Sequence, residues 1–319
     1  VFFLQRISMK ANLAKILKVS PINGWGLFAI FSIPMCLFNY IVMMDADISS
    51  PEGVSYMIGY SVRWAVPFIY LAMVASSVKI LFPGAISFWW LRNRKYIGLV
   101  FALGMAWQAV FIYILSTFFR DYYFDEVYYF RDELEGSVGY IFLVGMVITS
   151  FKFARSKISN FQWKWVQKGG LYFLWAYAFS VYWWNVFYYP YYDNYLVPEV
   201  HDYLYYWIGF VVFALRILAW GKQRLNINDK NSELSSQLSL IKMVGVILFA
   251  LGVVMSGTGN YWYEAVSGLI SAPEWSIELG LWLPFWPLEP FISLLLMSIG
   301  AYLITSERVR GNNYISVID

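Results

Sequence analysis

Residues 19–44 read VSPINGWGLFAIFSIPMCLFNYIVMM, a run that contains no Asp, Glu, Lys or Arg. A helix rises about 1.5 Å per residue, so about 20 apolar residues cross a hydrocarbon layer of roughly 30 Å. This stretch alone is long enough to do so. The composition agrees with it: 60% of the 319 residues are hydrophobic, 21% aromatic and 13% charged, against about 25% charged in ordinary soluble domains. A soluble globule is excluded on those figures. Disordered, collagen-like and disulfide-rich classes go too, because Gly and Pro number 22 and 11 and the single cysteine, Cys36, has no second thiol to pair with. The net charge of +3 is spread between apolar segments, so nucleic acid is not an expected partner.

Seven further apolar stretches follow the first. They cover residues 54–78 with Arg63 inside, 96–119, the short 136–151, and the aromatic 169–192 with Tyr182, Trp183 and Trp184. Beyond them lie 203–220, 243–263 and 290–306. The expected fold is therefore an all-α integral membrane protein with about eight transmembrane helices. Arg216, near the end of the sixth stretch, is expected to snorkel toward headgroups. Residues 80–91, ILFPGAISFWWL, are too short to span, and their Pro-Gly pair places them at an interface with Trp89 and Trp90 in the aromatic belt.

Charge asymmetry orients the bundle. With a cytoplasmic N-terminus, the inward segments hold all of the 23 basic residues except Arg63, Arg120 and Arg131. The outward segments hold all of the 20 acidic ones except Asp229, Glu233, Glu307 and Asp319. The positive-inside rule is obeyed at every loop if all eight stretches cross, with both termini cytoplasmic. The domain plan is a cytoplasmic segment 1–18, one membrane domain 19–306 and a tail 307–319. The first apolar run is too long for a cleavable signal and reads as a retained helix.

The outer loops are rich in tyrosine, including Tyr122, Tyr123, Tyr128, Tyr129, Tyr188, Tyr189, Tyr191, Tyr192 and Tyr195. Belt anchoring is one explanation and a surface for a partner subunit is the other. Tyr128, Tyr129, Tyr191, Tyr192 and Arg63 are the candidate partner or lipid contacts. Glu289, between Pro287 and Pro290, reads as an interfacial carboxylate.

Local motifs then resemble a family. Trp64-Ala65-Val66-Pro67-Phe68-Ile69-Tyr70-Leu71, followed by Ser76, Ser77 and Lys79, is similar to the second-helix motif of the ferric-reductase-like transmembrane domain family. Arg94-Lys95-Tyr96-Ile97-Gly98-Leu99 resembles its third-helix entry, and Thr149-Ser150 with Trp163-Lys164 resembles its approach to the fifth helix. The match runs over residues 55–190, in the branch that contains the haem-binding partner of periplasmic methionine sulfoxide reductase. That resemblance implies a ferric-reductase-like helix bundle formed by the second to fifth helices within a core of about 55–220, with an extra helix pair over 240–306.

The resemblance also implies where haem-ligating histidines would stand, and this chain departs from it there. The family positions fall on Gln108, Gln167 and Ser180, or with a one-residue shift in the fifth helix on Lys168 and Val181. The one histidine, His201, lies outside the spans. A bis-histidine haem needs two imidazoles on facing helices. No cofactor of this chain's own is therefore expected, though a lipid, quinone or pigment could fill the vacated space.

No nucleotide fingerprint, metal-ligand spacing or nucleophile-base motif is present. The leading expectation is a haem-free accessory or structural subunit of a bacterial-type inner-membrane complex rather than an enzyme. The alternative is an electron-transfer subunit that binds quinone, or haem shared with another chain.

Overall fold

The computed structural model describes residues 16–193, 197–228, 240–272, 274–275 and 285–306. Its regular elements are all helical among the described residues. Nine helices of eight residues or more follow one another among the described residues. They are α1 (Trp25–Asp45), α2 (Pro51–Leu81), α3 (Ala85–Phe118), α4 (Phe130–Thr149), α5 (Asn160–Phe187), α6 (Val200–Asn228), α7 (Leu240–Ser256), α8 (Gly259–Ile270) and α9 (Glu289–Thr305). Four of them are long and apolar enough to cross a bilayer: α1, α2, α3 and residues Val200–Leu225 of α6. A fifth crossing follows if the bent pair α7 and α8 is one span, while α9 is a shorter apolar helix.

Local chemistry sets the ends. Ser50 caps α2, its hydroxyl accepting from the Gly53 N–H at 3.1 Å, and Pro51 takes the first helical position. Ser159 and Gln162 form a reciprocal capping box at the start of α5. Asp132 and Glu133 occupy the first turn of α4, where a negative charge is favoured by the helix dipole. Those same charges keep α4 below the hydropathy of the four clear spans. Pro67 inside α2 has no N–H to give the carbonyl four residues earlier, that of Arg63. The Tyr205 hydroxyl of α6 donates to that carbonyl at 2.8 Å.

α2 is the centre of the bundle, packed along α3 and against α6, with α5 beside it. Tyr70, Trp175, Phe179, Trp183 and Tyr206 are buried together there. Trp175 lies between Phe179 and Phe213, with ring centroids 5.0 and 4.4 Å away. Large apolar side chains such as Ile33, Ile141 and Val254 point outward instead, as a lipid-facing surface requires. α4 leans mainly on α5 and only lightly on α3, which leaves a cleft between α3 and α4.

Three details differ from the sequence expectations. Residues 85–91 are the opening turns of α3, not a separate interfacial segment, because the break is confined to Phe82-Pro83-Gly84. Trp89 and Trp90 nevertheless use their indoles on backbone, donating to the Ile22 and Leu71 carbonyls at 2.9 and 3.0 Å. Arg216 does not snorkel, since α6 continues to Asn228; its guanidinium turns inward to the Tyr172 hydroxyl at 2.7 Å and the Met73 carbonyl at 2.9 Å.

The third difference concerns the seventh apolar stretch, which is bent by 111° between α7 and α8. A bend in an apolar medium strands the last carbonyls of the first helix, and each needs a donor. Thr258 Oγ1 donates to the Val254 carbonyl at 3.0 Å and Trp262 Nε1 to that of Met255 at 3.0 Å. The Tyr206 hydroxyl donates to that of Ser256. The break is thus satisfied by side chains that hydropathy does not register.

Candidate functional site

The positions that the family resemblance singles out lie on α3 and α5, flanking α4. Gln108 of α3 meets Tyr140 of α4, whose hydroxyl is 2.9 Å from Gln108 Oε1 and 3.1 Å from the Met105 carbonyl. Gln167 of α5 reaches the end of α4, with Nε2 2.9 Å from the Met146 carbonyl and 3.1 Å from Thr149 Oγ1. Ser180 donates to the Tyr177 carbonyl of its own helix at 3.0 Å. The two glutamines therefore fasten α4 to its neighbours, and the three residues do not converge on one space. Of the shifted alternatives, Val181 and Lys168 are both exposed.

Beside Gln167 opens a cavity of about 400 Å³ at the end of the bundle where α3 begins and α4 finishes. Arg92, Arg94, Lys95 and Arg155 line it, together with Gln167 and Trp163, and its lining contains no Asp or Glu. Three of the cations are partly occupied. Arg92 donates to the Leu17 carbonyl at 2.8 Å and to Asn23 Oδ1 at 2.7 Å. Lys95 sits 4.5 Å over the Phe151 ring, and Arg155 lies 5.0 Å from the Trp163 ring and donates to the Ile158 carbonyl. Arg94 is only partly exposed and has no hydrogen bond or ion pair among the described residues. Sequence reasoning did not find this cavity. The signal was there: residues 53–120 and 136–192 contain no acidic residue at all, so cations brought together from those stretches have no local counter-ion.

The opposite end is built differently. Arg63 pairs with Glu199 at 3.7 Å, and both side chains are substantially exposed. His201 lies between two carboxylates, with Nδ1 3.2 Å from Glu199 and Nε2 3.5 Å from Asp202. Asp202, almost fully buried, accepts from Asn185 Nδ2 at 3.0 Å and from the Glu199 N–H at 2.8 Å, closing the first turn of α6. Between α3 and α4, the Tyr123 hydroxyl donates to Glu133 at 2.6 Å. Burial first, and then that hydrogen bond and charge, push the Tyr123 phenol well above its ordinary value.

The tyrosine pairs divide between two tasks. Tyr128 packs on Tyr123 and Phe124, and Tyr192 stacks on Tyr188 and donates to the Asn260 carbonyl at 3.0 Å. Their neighbours Tyr129 and Tyr191 are 70% and 57% exposed and free of ring contacts among the described residues. Tyr195 lies outside the described residues. Glu289, expected at an interface, is buried at the start of α9, with one carboxylate oxygen accepting from Ser271 at 2.7 Å.

Among the described residues no three His, Cys, Asp or Glu side chains gather in an arrangement that could hold a metal. Cys36 is a packing thiol that accepts from Trp107 Nε1 at 3.5 Å. Scans against protein-family models, curated proteins and solved structures each returned no match to this chain.

Proposed function

We propose that this chain is a haem-free membrane subunit with a ferric-reductase-like core, acting as a structural or accessory component of a larger complex. The observation that carries the reading is the use made of Gln108 and Gln167. At the positions where the resembled family places imidazoles, this chain has amides that hydrogen-bond α4 to α3 and α5, interactions worth about 0.6–2 kcal/mol each between membrane helices. Side chains committed to helix packing hold a scaffold together.

The same reading takes all eight apolar stretches as crossings of a bacterial-type inner membrane. The cavity with Arg92, Arg94, Lys95 and Arg155 then faces the cytoplasm, as the positive-inside rule asks. The end with Glu133, Glu199 and Asp202 faces outward. Tyr129 and Tyr191 stand exposed at that outer end, where large rigid side chains serve protein contacts well.

Purification of the full chain from its native membrane in mild detergent tests the proposal. A stable companion subunit is expected, together with the absence of a Soret band. Tyr129→Ser combined with Tyr191→Ser is expected to release the companion without lowering the melting temperature of the chain. A porphyrin spectrum that is lost on Gln108→Ala or Gln167→Ala would overturn the haem-free assignment and favour the electron-transfer alternative. A chain that runs alone in mild detergent would overturn the accessory role.

A further inference from the structure

The basic cavity has a second compartment. On its far side a groove of about 520 Å³ runs along the cleft between α1, α3 and α4, lined by residues such as Phe28, Ala102, Leu103, Val144 and Ile148. Leu99, Leu143 and Val147 line both spaces and form their common wall. A cluster of cations thus lies beside a strip of hydrocarbon, with those three side chains between the two spaces. The cleft is there because α4 rests on α5 and barely touches α3.

We propose that this cleft binds an anionic phospholipid, with its phosphate headgroup held by Arg94 and Lys95 and its acyl chains laid in the groove between α1, α3 and α4. The inference rests on the membrane orientation proposed above and not on the accessory role. Three observations carry it. First, the cavity lining has four cations and, among the described residues, no carboxylate to meet their charge. Second, the Arg94 guanidinium is half-buried with no hydrogen bond or ion pair among the described residues, and Arg216 on α6 adds a second positive charge near it. An uncompensated buried cation is costly to a fold unless a partner arrives. Third, the adjoining groove is apolar along its length, which suits hydrocarbon chains and not a free anion. Basic pockets between membrane helices on the cytoplasmic side are recognised by anionic headgroups through this combination of charge and burial.

The occupant's chemistry follows from the geometry. A guanidinium presents a planar fork that matches two phosphate oxygens, while the Lys95 ammonium supplies a point charge. Trp163 at the cavity wall can donate its indole N–H to a glycerol or headgroup oxygen. Gly98 lies in this wall on α3, and a Cβ added there would meet nothing within 4 Å. A side chain at that position would therefore start in open space at the wall of the headgroup cavity.

The test uses the full chain in a zwitterionic detergent and compares phosphatidylglycerol with phosphatidylcholine of the same acyl composition, by native mass spectrometry and thermal unfolding. Phosphatidylglycerol is expected to stay bound and raise the melting temperature, while phosphatidylcholine does neither. Arg94→Gln with Lys95→Gln is expected to weaken retention of phosphatidylglycerol by about tenfold or more, the loss of one or two charge-assisted hydrogen bonds. Gly98→Leu should do the same with every charge in place. Without lipid, Arg94→Gln should melt no lower than the unsubstituted chain, which shows that it folds. Equal retention by the variants, equal binding of the two lipids, or equal stabilisation by inorganic phosphate alone would each overturn the proposal. A porphyrin band that depends on Arg94 would overturn it in favour of a haem propionate contact.

Discussion

Gly300→Ala should damage the bundle, because α7 and α9 meet backbone to backbone. A Cβ built on Gly300 lies 2.6 Å from the Gly245 carbonyl oxygen and 2.7 Å from the Phe249 nitrogen. Ordinary carbon-to-oxygen approach across a helix pair is about 3.3 Å or more, so the helices must part by roughly 0.7 Å. Neither contacting atom belongs to a side chain that could rotate away. The seam continues on the same face of α7, where a Cβ on Gly252 would stand 2.5 Å from the Ser293 carbonyl oxygen. Small residues are what let membrane helices approach this closely. Overpacking of this kind costs about 1–3 kcal/mol, and the better helix propensity of alanine returns up to about 1 kcal/mol. A net loss of about 1–2 kcal/mol is expected. Thermal unfolding of the detergent-solubilised chain, followed by tryptophan fluorescence, measures it. Gly59→Ala is the matched control: it lies inside α2, and its added Cβ would meet nothing within 4 Å, so it should be neutral or slightly stabilising. If Gly300→Ala melts with Gly59→Ala or above it, close backbone contact does not hold α7 to α9 and the packing argument fails.

Gln167→Leu removes the bonds to the Met146 carbonyl and Thr149 hydroxyl. It should cost about 0.6–2 kcal/mol and raise hydrogen exchange at residues 146–150; unchanged exchange there would show that the amide is not a fastener. Asp202→Ala strands the Asn185 amide and the Glu199 N–H and should cost about 1–3 kcal/mol. Asp202→Asn, which keeps an acceptor oxygen, should cost less, and equal losses would contradict the assignment. Tyr123 has its phenol raised above 10.0 by burial and by Glu133, so the folded state holds that proton more tightly than the unfolded chain does. Its stabilisation is complete below the ordinary tyrosine value and is lost as pH rises through it and on toward the raised one. The difference in melting temperature between the unsubstituted chain and Tyr123→Phe should therefore shrink with rising pH across that window, and a constant difference would refute the linkage.

Hydropathy and charge in the sequence were enough to read an all-helical chain with helices fit for a bilayer. Burial in lipid demands long uncharged runs whatever the packing, and a run such as residues 19–44 states that locally. The same holds for the caps at Ser50 and Ser159, whose partners lie within three residues. Arg63 was legible as a contact residue inside an apolar stretch; that it pairs with Glu199 required the fold. The inward turn of Arg216, the bend after Ser256 and the burial of Glu289 were not legible. Each depends on groups distant in sequence: Met73 and Tyr172, Tyr206, and Ser271. Likewise, Gln108 and Gln167 could be read as polar substitutions, but only the lean of α4 on α5 decides what they bond and why a cleft opens beside them. Arg92, Arg94 and Lys95 were visible as a basic run at the start of a helix, which by itself reads as topology. Their meeting with Arg155 around one cavity, without a carboxylate, is a property of helix packing, since electrostatic compensation depends on distance in space and a sequence records only distance along the chain.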